Sequence, residues 1–277
     1  MDREELLLML LCCKMGDRIV PLTAGQYLAL QKKAGAPPAE PDRILSLCGP
    51  DSERERLAAR LSREAVLSER LCRWHEKGVE VCTLLSPDYP RELREKLGED
   101  APAALFLLGD RSLLAKPAVS LVGSRNLREE NRRFAEARGA WAAARGLTLC
   151  SGDARGADRA GQEGCLHAGG AVLSFVADRL LDRRVTERCL YASEDGPDYA
   201  FSSARALARN RLIHAKGRCV FVAQTEDGRG GTWSGTYKNL TRRWSPVYCY
   251  EDGTVGMAHL CREGAKPFSA FREEQYL

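Results

Sequence analysis

The sequence predicts an α/β protein in which a small α-helical domain precedes an extended Rossmann-like domain with a mostly parallel, doubly wound sheet. The first hundred residues show the helical spacing of Leu and Ala, whereas short apolar runs alternate with helical stretches from Ala104 onward. Strand–helix alternation of this kind is typical of parallel sheets with right-handed crossovers. We therefore predict a helical domain over residues 1–85 and a Rossmann-like domain over residues 86–277.

Five short helices are expected in the N-terminal part, separated by breaks that contain glycine or proline. They span residues 4–15, 24–34, 41–48, 52–61 and 62–77. Residues 78–85 then alternate like a short strand. After the turn at Asp88-Tyr89-Pro90, a further helix is predicted over residues 91–96.

The C-terminal part is expected to supply the sheet and the helices that cover it. Residues 105–108 are predicted to form a short edge strand, and the apolar run 118–122 a strand buried on both faces. Further strands are predicted over residues 147–150, 171–176, 219–223 and 247–250. Helices are predicted over residues 130–145, 157–168, 183–191, 202–215 and 235–243.

Composition and charge argue against a membrane-spanning or a secreted protein. The 277 residues carry a mild net charge of +4, and no apolar run approaches the roughly 18–20 residues that span a bilayer. The apolar stretch 6–13 follows acidic residues and lacks the basic start of a signal peptide. We therefore expect a cytoplasmic protein without a membrane partner.

Cysteine and histidine give no sign of a metal or redox centre. The eleven cysteines are scattered, odd in number and without a Cys-x-x-Cys pair, and the four histidines form no spaced pair. We therefore expect structural thiols, and no metal, cofactor or catalytic residue.

Three turns rich in small residues follow predicted strands and precede predicted helices. They are Gly123-Ser124-Arg125, residues 151–158 and residues 228–236. Because the carboxyl ends of parallel strands share one edge of the sheet, we expect the three turns to converge there. Bare backbone N–H groups at helix starts can hold an anion, and arginine offers a two-pronged donor for phosphate oxygens. A fourth group, Arg209-Asn210-Arg211, places two cations around an amide, which suits a phosphate or a base edge.

Neither a Gly-x-Gly-x-x-Gly fingerprint nor a Walker lysine motif occurs at these turns. Nicotinamide, flavin and P-loop enzymes are therefore disfavoured.

The first two turns and the Arg209-Asn210-Arg211 group occur in the order and spacing of the DprA/Smf family of DNA-processing proteins. Residues 88–93, 105–110 and 256–265 also resemble elements of that family, so that the resemblance spans roughly residues 50–268. It implies an extended Rossmann-type domain that binds single-stranded DNA in natural transformation, forms a homodimer and helps to load a RecA-type recombinase. The candidate DNA- or phosphate-binding residues are Gly123, Ser124, Arg125, Ser151, Gly152, Arg155, Gly156, Arg209, Asn210, Arg211, Gly231, Thr232, Ser234, Gly235 and Thr236.

The chain departs from the family pattern at three places. Gln162 stands where the family usually has histidine, and residues 177–180 replace a Gly-rich turn. Residues 232–236 replace the usual Ser-Gly-Ser. The sequence is therefore expected to be a divergent member.

An alternative function is that of a nucleotide-binding Rossmann protein, enzyme or sensor, related to phosphoribohydrolases. Residues 230–236 are similar to the Gly-Gly-x-Gly-Thr turn of such enzymes, but Asn239 stands where they carry a glutamate. Without that carboxylate no general acid or base for glycosidic cleavage is evident. Trp233 fits either stacking on a base or packing at the sheet edge.

Overall fold

A computed structural model describes residues 1–276 and confirms the predicted mostly parallel α/β sheet. The strands form one sheet in the order β1-β2-β6-β5-β4-β3-β7-β8-β9, in which β1, β2 and β6 pair antiparallel and every other neighbouring pair is parallel. The strands are β1 Val79–Thr83, β2 Ala104–Gly109, β3 Ala118–Val122, β4 Thr148–Ser151, β5 Ala171–Phe175, β6 Cys189–Ser193, β7 Val220–Val222, β8 Val247–Cys249 and β9 Lys266–Pro267.

Strand β3 lies at the centre of the parallel part, and every one of its residues is buried. Ser120 pairs in register with Cys150 of β4 on one side and Val220 of β7 on the other. The unbroken apolar run that predicted this strand thus reflects burial on both faces of the sheet.

Two local predictions were wrong. Strand β2 is interior and not an edge, because β1 pairs with it through the register Val81 to Phe106 while β6 pairs with its other side. The predicted helix over residues 183–191 is replaced by an irregular segment followed by β6. The amide of Val172 donates to the carbonyl of Arg188, and this pairing with β5 extends the segment into the sheet.

The helices follow the predicted pattern more closely. They are α1 Arg3–Cys12, α2 Ala24–Ala34, α3 Pro41–Ser46, α4 Asp51–Leu61, α5 Glu64–Glu76, α6 Arg91–Leu97, α7 Glu129–Ala144, α8 Ala157–His167, α9 Ser203–Lys216, α10 Gly230–Arg242 and α11 Val255–Arg262. Helix α10 begins five residues before its predicted start. The glycine-rich segment enters it through Gly230, whose φ of +81° suits glycine.

Helices cover both faces of the sheet. On one face α7 and α8 pack over Val119, Leu149 and Phe221, together with aromatic residues near the C-terminus. On the other face α9 contributes Leu212 and Ile213 to a core that continues into the N-terminal helices.

The N-terminal helices contact the sheet directly. The hydroxyl groups of Thr83 and Ser86 donate to Glu5 Oε1 of α1 at 2.9 and 2.6 Å. Strand β1, which precedes the predicted boundary at residue 85, pairs with β2. The division into two domains stays a prediction. Over residues 1–276, no helix combines the length and the apolar character that crossing a bilayer would require.

Candidate functional site

A cavity of about 650 Å³ opens at the carboxyl edge of the parallel strands, between the turn after β3, helix α9 and the start of α10. Of the predicted site residues, those that line it share a position at a strand end or on the inner side of a helix. They are Gly123, Ser124, Arg125, Arg209, Asn210, Gly231, Thr232 and Ser234. The fold thus brings residues of the first and third turns together with two members of the Arg-Asn-Arg group.

The first and second turns are joined by backbone contacts. The amide of Ala157 donates to the carbonyl oxygen of Ser124 at 3.1 Å. A Cβ atom on Gly156, whose φ is +90°, would lie 2.3 Å from that same oxygen. At Gly123 a Cβ atom would lie 2.5 Å from the Cβ of Ala157. Both glycines are therefore required for the close approach of α8 to the end of β3.

The first turn is also joined to the segment that follows β7, and the third turn is joined to α9. The amide of Ser124 donates to the carbonyl oxygen of Gln224 at 2.9 Å. Asn210 Nδ2 donates to the carbonyl oxygen of Gly231 at 3.1 Å and so holds the start of α10 against α9. The first amides of α10 have no partner within the helix, and Gly231 and Thr232 line the cavity. This part of the wall therefore favours an anion.

Two exposed arginines stand at the cavity, Arg125 and Arg229. Among the ion pairs formed within residues 1–276, none involves either guanidinium. The guanidinium carbon of Arg125 lies 6.0 Å from the ring centre of Phe201, which is 52% exposed. Outside the cavity lining, Arg155 is also exposed, and its Nη2 donates to Asn126 Oδ1 at 2.7 Å.

Arg209 points inward and forms part of the cavity floor. It is 8% exposed, its Nη1 donates to the carbonyl oxygen of Phe175 at 2.8 Å, and its buried Nε has no partner within the described chain. A Cβ atom on Gly152 would lie 1.6 Å from that Nη1. The lack of a side chain at Gly152 therefore leaves room for the guanidinium of Arg209. The amide of Gly152 donates to Asp158 Oδ2 at 3.1 Å.

Asp158 closes the second turn by accepting hydrogen bonds from the amides of Gly152 and Ala154, at 3.1 and 3.2 Å. Burial raises the pKa of this carboxyl to about 6, although Arg209 and the two amides act in the opposite direction. The carboxylate therefore organises the turn and partly offsets the positive charge of the floor.

The remaining predicted site residues lie outside the cavity lining. Arg211 donates through both Nη atoms to Glu194, and through Nε to the carbonyl oxygen of Asp100. The buried Ser151 hydroxyl accepts from Gln162 Nε2 at 2.5 Å, and that same nitrogen donates to Ser174 Oγ at 3.0 Å. The polar groups of Arg211 and Ser151 are therefore used in hydrogen bonds within the protein.

Two predicted residues of the third turn are parts of helix α10 that face the protein. Gly235 packs against the side chains of Asn210 and His214, each about 3.2 Å from where its Cβ would lie. Thr236 is buried, and its hydroxyl has no partner within residues 1–276. The structure gives neither of them a direct place at the cavity.

The floor also contains His214, which sequence reasoning did not select. Its Nδ1 lies 3.2 Å from Asn239 Nδ2, and burial lowers its pKa to about 3. The ring is therefore neutral at physiological pH and accepts the hydrogen bond of the amide. Asn239 is itself fixed by Ser245, whose amide donates to Asn239 Oδ1 at 2.9 Å.

Sequence reasoning also missed Phe201, Leu207 and Arg229, which all line the cavity. Arg229 lies inside the third turn and could have been selected by its position between glycines. Phe201 and Leu207 are 52% and 51% exposed. Because their exposure depends on the orientation of α9 in the folded protein, no pattern in the sequence pointed to them. In the described part of the chain, no group of three or more His, Cys, Asp or Glu residues is arranged to hold a metal ion.

Comparison with known proteins provides evidence that does not depend on the geometry of the cavity. Residues 80–274 match the model of the family described as DNA recombination-mediator protein A. The chain is 28% identical over 199 residues to DNA processing protein DprA of Streptococcus pneumoniae, an alignment that covers 66% of this chain and 69% of that protein.

Solved structures share the fold, among them two of DNA processing protein A. DNA processing protein A from Streptococcus pneumoniae superposes with a TM-score of 0.68 at 23% identity, covering 90% of this chain and 95% of the other. DNA processing protein A from Helicobacter pylori, described for its single-stranded DNA binding mode, superposes with a TM-score of 0.58 at 22% identity over 71% of this chain and 94% of the other.

Proposed function

Because the chain belongs to the DNA recombination-mediator protein A family, we propose that it binds single-stranded DNA at the cavity on the carboxyl edge of its sheet. The observation that carries this proposal is the pair Arg125 and Arg229, two exposed guanidinium groups beside the cavity that take part in no ion pair of the described chain. A guanidinium group without a carboxylate partner is available to bind a phosphate. The protein is a DNA-processing recombination mediator and not an enzyme.

The remaining wall of the cavity suits a sugar–phosphate backbone. The first amides of α10 and the hydroxyl groups of Ser124, Thr232 and Ser234 supply donors around the two arginines. Phe201 offers an exposed ring on which a base can stack, and Arg125 lies over it. A site of this kind recognises the charge of the phosphates and the flat faces of the bases, and depends little on the base sequence.

Support also comes from the Helicobacter pylori relative, which is described as binding single-stranded DNA. The nucleotide-cleaving alternative gains no support from the site. Asn239, at the position of the expected glutamate, is buried and bonded to His214 and Ser245. The carboxylates that line the cavity are Asp158 and Glu226, and Asp158 is occupied by two backbone amides.

Fluorescence polarisation with a labelled 20-nucleotide oligothymidylate tests the proposal. Binding in the nanomolar-to-micromolar range should weaken as salt rises, because phosphate contacts release counterions. Arg125→Ala should reduce the affinity about tenfold or more, in line with the loss of a charged hydrogen bond. Tight binding of a mononucleotide with release of its base, and indifference to the oligonucleotide, would refute the proposal.

Arg133→Ala is a matched control for Arg125→Ala. Arg133 is an exposed arginine on α7 that pairs with Glu129 and does not line the cavity. Its removal should leave the affinity within twofold. An equal loss in both variants would indicate a diffuse charge effect and not a site.

We further propose that the protein acts in the cytoplasm as a homodimer and loads a RecA-type recombinase onto the bound strand. These three statements rest on kinship with the family. Light scattering at micromolar concentration tests the dimer. Recombinase loading is tested by whether the protein accelerates DNA-dependent ATP hydrolysis by a RecA-type recombinase on DNA coated with single-strand binding protein.

A further inference from the structure

A second groove lies along the outer side of α10, the helix whose first turn lines the cavity. It measures about 540 Å³ and its wall consists almost entirely of α10 side chains. The lining residues are Gly228, Trp233, Ser234, Tyr237, Lys238, Thr241 and Arg242. Helix α10 has 13 residues and is about 20 Å long, and the groove follows it to Arg242 at its C-terminal end.

Two aromatic rings stand in the α10 groove, one helical turn apart. The ring centres of Trp233 and Tyr237 are separated by 6.4 Å, and their planes lie within 13° of parallel. Tyr237 is 44% exposed, and Trp233 is half-buried with its ring 4.8 Å from that of His259. Parallel rings that reach the surface of a groove can offer successive faces to planar groups such as bases.

The charge of the α10 groove is positive. Lys238 and Arg242 line it, and no carboxylate of residues 1–276 does so. Neither cation belongs to an ion pair formed within residues 1–276. The neighbouring carboxylates of Asp227 and Glu263 lie beside His259, with Asp227 Oδ1 2.7 Å from its Nδ1 and Glu263 Oε1 3.5 Å from its Nε2.

The α10 groove adjoins the cavity at the start of α10. Ser234 lines both, and Arg229 at the cavity is adjacent in sequence to Gly228 in the groove. A chain molecule leaving the cavity would therefore meet two aromatic faces and two cations in succession. Alternation of stacking faces and phosphate-binding cations is the chemistry of a single-stranded nucleic acid.

From these contacts we infer that the α10 groove is a second segment of the nucleic-acid path, in which bases stack on Trp233 and Tyr237 while Lys238 and Arg242 hold phosphates. The inference rests on the proposed function and deepens it. It defines a site beyond the strand-end turns and assigns Trp233 to stacking on a base.

Oligonucleotide length separates the two segments. Tyr237→Ala should reduce the affinity for a 20-nucleotide oligothymidylate about tenfold, the size expected for loss of one stacked base, and should leave the affinity for a tetranucleotide within twofold. Val66→Ala, which trims an exposed apolar side chain on α5, is the control and should change neither affinity. Lys238→Gln and Arg242→Gln should each lower the slope of log affinity against log salt by about 0.7.

Tryptophan fluorescence reports the stacking directly. Trp74 and Trp244 are buried, and Trp141 packs on the opposite face of the sheet. Addition of the 20-nucleotide strand should therefore quench mainly Trp233, and Trp233→Phe should abolish the quenching while keeping a ring for binding. Undiminished quenching in this variant would overturn the inference.

The outcomes distinguish this inference from the function on which it rests. If Arg125→Ala weakens binding of both oligonucleotides while Tyr237→Ala affects neither, the cavity stands as the DNA site and the α10 groove does not. If the unmodified protein binds neither oligonucleotide, both proposals fall. A change in molecular mass on light scattering of Tyr237→Ala, without a change in DNA affinity, would make the groove a protein interface and would also overturn the inference.

Discussion

Arg209 Nη1 donates a 2.8 Å hydrogen bond to the carbonyl oxygen of Phe175, at the end of strand β5. The guanidinium is therefore bound to the carboxyl edge of the sheet, and only part of it reaches the cavity floor. In contrast, Arg125 and Arg229 stand at the same cavity without a carboxylate partner in the described chain. Arginines that look equivalent in the sequence are thus placed differently: Arg209 holds the edge of the sheet, and we propose that Arg125 and Arg229 bind the ligand.

Arg209→Ala should destabilise the fold, whereas Arg125→Ala should not. Loss of Arg209 leaves the Phe175 carbonyl without its donor and opens a gap over Gly152, and we expect about 1–3 kcal/mol lower free energy of unfolding. Urea unfolding followed by circular dichroism measures the difference. Equal stability of the two variants would show that Arg209 does not hold the edge.

Gly156→Ala should disrupt the junction of the first two turns. The new Cβ would lie 2.3 Å from the carbonyl oxygen of Ser124 and would occupy a backbone with φ of +90°. Gly146→Ala is the matched control, since Gly146 also has a positive φ, +65°, but no atom within 4 Å of its Cβ position. We expect Gly156→Ala to lose more stability and also DNA affinity, whereas a similar loss in both variants would indicate backbone strain alone.

Gln162→Ala should leave two buried hydroxyl groups without a partner. Gln162 Nε2 contacts both Ser151 and Ser174, and the unfolding free energy should fall by about 1–3 kcal/mol. Glu163→Ala, on the exposed side of the same helix, should change it by less than about 0.5 kcal/mol. Calorimetric melting of the two variants provides the comparison.

Two buried groups should give the stability opposite dependences on pH. The pKa of Asp158 is raised from 3.8 to about 6, so the folded state binds more protons than the unfolded state between these values, and this contribution to stability is lost as pH rises through 6. The pKa of His214 is lowered from 6.5 to about 3, so its contribution rises with pH over the same interval.

Replacing either titratable residue should reveal the pH dependence of stability that the other contributes. Asp158→Asn keeps an oxygen for the two amides and should steepen the rise of stability with pH between 4 and 6, by at most about 1.4 kcal/mol per pH unit. His214→Gln should change the slope in the opposite direction. Urea midpoints at half-unit pH steps measure both, and parallel curves for variants and unmodified protein would contradict the assignment.

The sequence by itself determined the parallel core of the sheet and the meeting of its turns. Apolar runs such as 118–122, followed by glycine and then a helical stretch, are local signals, and parallel strands bring their carboxyl ends together wherever they are paired. Non-local pairing decided what the sequence could not show, including the antiparallel strands around β2 and the formation of β6 where a helix was predicted.

Only the tertiary structure decided which side chains of Arg209-Asn210-Arg211 face the cavity. Successive residues of an α-helix are about 100° apart, so residues two apart lie on nearly opposite sides. Once α9 is docked with Arg209 towards β5, Arg211 must point away, where Glu194 binds it. The sequence supplied the cations and the turns, and the rotation of one packed helix fixed which cations remained for a ligand.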